Sequence, residues 1–194
     1  MALAELIRSA VLRGLLYDVR VNAADDASEP SVPPPSFAAA SDGTAVNTTA
    51  LELDHLGLIV PDIAVGRSFL EKTFGVTRWT PVVDDPGLCV SVQFGSTPGG
   101  QLTYELISPL GEATPIANAL RTGKHILNHL AYLTPNLEAS AAHLREQGCY
   151  PAGEPRPALA YEGRLVQFWM SPLRFVIELI EKPGHSHPFE EPAL

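Results

Sequence analysis

The chain has 194 residues, 45% of them hydrophobic and 18% charged, enough for one compact domain with a sizeable core or for two small ones. A formal net charge of −9 argues against nucleic acid or an anionic membrane surface as the main partner, and no apolar run reaches the roughly 18 residues of a membrane span. Cys89 and Cys149 are the only cysteines, too few for a disulfide framework or a thiolate metal site, and they fit a reducing compartment such as the cytoplasm.

In chain order, Leu3, Leu6, Ile7, Val11 and Leu15 follow helical spacing and predict a short amphipathic helix over 2–17, within an N-terminal segment 1–23. Such a helix packs on its own domain or a partner copy, or docks on another protein. The segment lacks the uninterrupted apolar stretch of a secretion signal, and Glu5 and Asp18 count against a mitochondrial presequence. Residues 24–49, with SEPSVPPPSFAAASDGT at their centre, read as a linker rich in Pro, Ser and Ala. The globular domain is expected over 50–194.

The pattern there predicts a strand at 52–60 and a helix at 62–74 with Val65, Phe69 and Phe74 as its apolar stripe. Strands are expected at 76–83, 88–94 and 101–107, and a helical turn at 114–121. A strand at 127–134, a helix at 136–147 ending at Gly148, and strands at 149–154, 163–169 and 174–181 complete the order. Strand, helix and three strands thus occur twice. The sequence repeats as well: LDHLGLIVPDI at 53–63 returns as LNHLAYLTPNL at 127–137, and Val92-Gln93-Phe94 as Val166-Gln167-Phe168. Tyr104-Glu105-Leu106-Ile107 answers Ile177-Glu178-Leu179-Ile180. The expected fold is α+β: two tandem βαβββ modules, at about 50–110 and 125–182. They are expected to bury their open sheet faces against each other around a pseudo-twofold axis and to enclose a metal-binding cleft.

Each half supplies one histidine from its first strand and one glutamate from its last. Alone, His55 or His129 is a satisfied core histidine, and Glu105 or Glu178 pairs with an arginine such as Arg164 or Arg174. An ionised carboxylate inside an apolar run such as VIELI is costly without a partner. Twofold symmetry would bring His55, Glu105, His129 and Glu178 to one point, a mixed nitrogen and oxygen set suited to Zn, Co, Ni, Mn or Fe. Among the other polar residues, His125 is expected in a loop, His143 on an exposed helix face, and His185 and His187 in a polar tail. Arg156 and Arg164 are ordinary surface charge or partners of an anionic group. Of Phe168 and Trp169, one is expected to line the cavity and the other the outer core.

With these residues in view, 51–181 resembles the vicinal oxygen chelate superfamily, which includes glyoxalase I, extradiol dioxygenases and methylmalonyl-CoA epimerase. The epimerase branch is the most similar. DHLGLIVPDI resembles its first metal-ligand strand, ELISPLGEATPIANAL at 105–120 its strand, Pro-Leu turn and following helix, and LNHLAYLTPNLEASAAHLREQG its second histidine strand and helix. EPRP at 154–157 matches a recurrent loop. The resemblance implies that His55, Glu105, His129 and Glu178 bind a divalent ion (Co, Zn, Ni or Mn before Fe). It also implies that Glu178, then Glu105, moves protons next to a carbonyl, in an epimerase or isomerase whose substrate is carried as an acyl thioester on CoA or a carrier protein. Two features depart from the epimerases: LCVSVQF at 88–94 carries no carboxylate, with Gln93 its only sizeable polar side chain, and SPLRFVIEL forms a shorter turn before Glu178. Other outcomes of the same resemblance are a glyoxalase I-like isomerase or lyase, an Fe(II) extradiol dioxygenase, and a non-catalytic small-molecule binder of the resistance type. The cleft can form within one chain or, in a homodimer, between swapped halves of two.

Overall fold

The computed structural model describes residues 50–100 and 102–190; the expected N-terminal helix and linker lie outside them. Strand β1 (Glu52–Ile59) leads to helix α1 (Ile63–Phe74), then β2 (Arg78–Trp79), β3 (Val83–Asp85), β4 (Val90–Ser96) and β5 (Thr103–Pro109). A short helix, α2 (Ala117–Thr122), connects to β6 (Leu127–Leu133) and helix α3 (Leu137–Glu146). Strands β7 (Tyr150–Pro151), β8 (Arg156–Ala158), β9 (Arg164–Met170) and β10 (Val176–Ile180) follow, with one 3₁₀ turn at Leu159–Tyr161. The strand expected at 76–83 is two short pieces, β2 and β3, on either side of Pro81, and the one expected at 149–154 shrinks to β7, after which the chain bends at Ala152 and Gly153 before β8.

Local chemistry sets the helix bounds. Asp62 caps α1 by accepting from the Ala64 and Val65 amides at 2.8 and 3.2 Å, and Gly75 closes it at φ 67°. The equivalent residue of the second half, Asn136, caps α3 by accepting from the Ala139 amide at 2.9 Å. The expected stripe of α1 points the wrong way. Val65, Phe69 and Phe74 are 59%, 58% and 51% exposed, while Gly66 and Leu70 face the sheet. Gly66 is what turns the helix: a β-carbon there would lie 2.7 Å from the Val60 Cγ1, so the backbone itself packs against that side chain.

All ten strands belong to one sheet with the order β2-β4-β5-β1-β6-β10-β9-β7, β3 pairing with β4 and β8 with β9. The modules join edge to edge, through antiparallel pairing of β1 with β6. In that ladder Leu56 pairs with Leu130, and these two are also equivalent in the sequence repeat, so the pseudo-twofold axis passes between them. Each helix covers its own module. Leu70, Val76, Trp79 and Leu106 pack under α1; Leu144, Trp169 and Leu179 under α3. A third cluster draws on both modules and includes Phe94, Ile107, Leu133, Tyr161 and Val166. The sheet curls toward closure, since Asp85 on β3 accepts a hydrogen bond from the Leu159 amide at 2.9 Å.

Candidate metal centre

Cross-strand neighbours project from the same face of a sheet, and the pairing register therefore says which side chains meet. Phe94, Glu105, Gly57 and His129 are successive partners across β4, β5, β1 and β6. Phe168, Glu178, Ala131 and His55 are successive partners across β9, β10, β6 and β1. The two rows are related residue by residue through the repeat. Each runs aromatic, acid, small, imidazole.

The small residue lets the rings cross. His129 lies over Gly57, where a β-carbon would come within 2.4 Å of its Cε1. The imidazoles consequently interlock, with their Nε2 atoms 2.9 Å apart. Glu105 Oε2 lies 3.2 Å from His55 Nε2 and 3.3 Å from His129 Nε2; Glu178 Oε2 lies 3.5 and 3.0 Å from the same atoms. All four residues are buried. The structure thus brings together the four residues that the sequence singled out. Arg164 and Arg174 are exposed, and the ionic partners of the two glutamates are the imidazoles.

The outer nitrogens decide what the inner ones present. His55 Nδ1 is 2.8 Å from Asp54 Oδ2 and His129 Nδ1 is 3.0 Å from Asn128 Oδ1, both acceptors. A neutral ring that donates from Nδ1 keeps a lone pair on Nε2. Two such lone pairs and two carboxylates then converge on one buried point with no donor among them. Either protons or a cation must sit there. Donors held ~2.1 Å from a common ion are ~3.0 Å apart at right angles and ~3.4 Å apart at tetrahedral angles, close to the separations of 2.9 to 3.5 Å found. The residues fit a metal ion.

Without an ion, protons do this work. Burial alone would lower both imidazoles, yet Glu105, Glu178 and Asp54 raise His55 well above its ordinary 6.5, and the two glutamates raise His129. Burial likewise opposes ionisation of Glu105 and Glu178, and the imidazoles overcome it, holding both carboxyls below 4.5.

The remaining singled-out residues fall as follows. His125 and His143 are exposed. Phe168 lines the site, its ring 5.6 Å from that of His129, and Trp169 is buried beneath α3. Gln93, next to Phe94, points to the opposite face and donates to the Thr80 carbonyl at 2.7 Å, as Gln167 does to Gly153 at 2.9 Å. Neither glutamine reaches the site. Arg156 lines a cavity of about 30 Å³ with Leu88, Gly153 and Phe168, on the side of the second row. His187 is the surprise of the polar tail, because its Nε2 lies 3.0 Å from Asp54 Oδ2. Asp54 and Tyr161 were not candidates from sequence, although the recurrence of Asp54 as Asn128 beside each histidine carried the signal.

This fold and donor set define a class. Residues 54–168 match the Glyoxalase/Bleomycin resistance protein/Dioxygenase superfamily, and the chain belongs to it. Two curated relatives in that class are epimerases. The ethylmalonyl-CoA/methylmalonyl-CoA epimerase of Cereibacter sphaeroides is 30% identical over 117 residues, covering 60% of this chain and 85% of that one. A hypothetical protein from Bacillus halodurans shares the fold at 25% identity and TM-score 0.61, over 71% of this chain and 99% of that one. The methylmalonyl-CoA epimerase of Mycobacterium tuberculosis does so at 24% identity and TM-score 0.57, over 71% and 91%. No helix among the described residues is long and apolar enough to cross a membrane.

Proposed function

We propose that the protein is a metal-dependent epimerase of acyl thioesters, with a malonyl-type CoA ester as substrate and with His55, Glu105, His129 and Glu178 as ligands of Co, Zn, Ni or Mn. The observation that carries this reading is the convergence of four buried acceptors in a chain 30% identical to an epimerase of that substrate class.

A bound divalent ion would polarise a carbonyl oxygen and ease removal of the proton on the adjacent carbon. The chain's own residues do the rest. Glu178, leaving the ligand set as substrate binds, would take that proton, its burial keeping competing water away. Glu105 stands in the symmetry-related row and, once protonated from solvent, would return a proton to the opposite face, as inversion at carbon requires, while Glu178 passes the proton it has taken to solvent. Gln93 has no part in this step. The thioester approaches on the side of Leu88, Gly153 and Phe168, which line a cavity of about 30 Å³.

Protein purified without chelators is expected to carry near one equivalent of a transition metal. Glu178→Gln should lose exchange of the substrate α-proton with solvent while still binding thioester. Wild-type exchange in that variant would remove Glu178 as the base.

A further inference from the structure

The pseudo-twofold symmetry of the site breaks one layer out. In the second half, His129 Nδ1 meets the neutral amide oxygen of Asn128 at 3.0 Å. In the first half, the same place is taken by the carboxylate of Asp54, and three donors converge on its Oδ2 alone. His55 Nδ1 is 2.8 Å away, the Tyr161 hydroxyl 2.6 Å and His187 Nε2 3.0 Å. The Asp54 and His187 side chains are 5% and 6% exposed and Tyr161 is fully buried, so water does little for this oxygen.

His187 comes from the segment after β10, which turns back across the first module. Its ring stacks on Phe94, centroids 4.2 Å apart, and Phe189 packs on the core shared by both modules. Two residues of β2 fasten the segment: the Arg78 guanidinium lies 4.9 Å over the Phe189 ring, and the Trp79 carbonyl accepts from the Glu190 amide at 2.8 Å. A segment that only shielded apolar surface would not need to aim a ring nitrogen at the oxygen that orients His55.

We propose that Tyr161 and His187 are positioning residues for the metal centre, and that the segment 183–190 is the clamp that delivers His187. By fixing Asp54 they fix the ring plane and tautomer of His55, so this half of the site is rigid and charge-assisted, and the half served by Asn128 is the one that yields. The inference rests on the metal-dependent reading above. Outer partners of metal-bound histidines typically change affinity by about 10–100-fold.

The test uses the full chain and Co(II) as the probe, with affinity measured by competition against a chelator and the visible d–d spectrum as a reporter of ligand geometry. His187→Ala is expected to weaken Co(II) binding at least about tenfold and to alter the d–d bands. His187→Gln keeps a donor where Nε2 stands and should restore both. Tyr161→Phe provides a second variant, in which the ring still fills its place, and is expected to weaken binding in the same direction. Melting of the metal-free proteins identifies any variant that fails to fold. A folded His187→Ala and a folded Tyr161→Phe that bind Co(II) with wild-type affinity and spectrum would overturn the clamp and leave the metal centre standing. Absence of Co(II) binding by the wild-type protein would overturn the metal centre, and the clamp with it.

Discussion

Replacing Gly57 with alanine places a methyl group inside the space of the His129 ring. The new carbon would lie 2.4 Å from Cε1 and 2.7 Å from both ring nitrogens, where ordinary contacts begin near 3.4 Å. Gly57 is not in the left-handed region, so an alanine backbone is unstrained there, and Ala131, its equivalent, already carries a methyl opposite His55. The cost therefore falls on the ring, which must retreat by about 1 Å. Metal–ligand bonds tolerate roughly 0.2 Å. Gly57→Ala should thus forfeit one ligand of four, at a cost above the ~100-fold upper range for outer partners, or more than ~2.7 kcal/mol. Competition titration with Zn or Co(II) measures the loss, and melting of the metal-free protein shows that the sheet persists. A folded Gly57→Ala protein with wild-type affinity would refute the crossing of the rings over Gly57.

Three further outcomes follow from the same geometry. In the metal-free protein, the raised imidazoles contribute stability that is full below 6.5 and lost as pH climbs through their folded values, and the lowered glutamates contribute stability present above 4.5 and lost as pH falls through theirs. Melting temperature should therefore peak between about pH 4.5 and 6.5; a continuous rise from pH 6 to 9 would contradict the assignment. Leu70→Ala removes a side chain that is 1% exposed under α1 and should cost about 3 kcal/mol in denaturant unfolding. Phe69→Ser, on the outward face of the same helix, should stay within about 0.5 kcal/mol, and a larger loss would mean that α1 is rotated from the orientation described.

The sequence was most legible where duplication made it redundant. His55 and His129 alone are ambiguous, but their recurrence in matching strands, with Glu105 and Glu178 interrupting apolar runs, is enough to assemble the cluster, because strand register carries equivalent residues to equivalent places. The α1 stripe misled because hydrophobicity weighs Val65 and Phe69 above Gly66, although the missing side chain of Gly66 is what permits close approach. The edge-to-edge joining of modules was hidden for a similar reason: β1 and β6 pair through backbone atoms, which every residue has. Asp54 and Asn128 were visible as a repeated pair, yet nothing local says that a side chain next to a histidine will reach its outer nitrogen. The role of Tyr161 and His187 lies in the return of the chain after β10 over Phe94, a tertiary placement without a periodic signal.

The central claim is that this buried centre promotes proton exchange next to a thioester carbonyl. The most direct measurement is mass or NMR detection of deuterium at C2 of methylmalonyl-CoA incubated in D₂O with the protein loaded in turn with Co, Zn, Ni and Mn. The account predicts incorporation with at least one of these ions, starting from either epimer, and its loss in His129→Ala. No incorporation with any of the four ions, in protein shown to bind them, would contradict it.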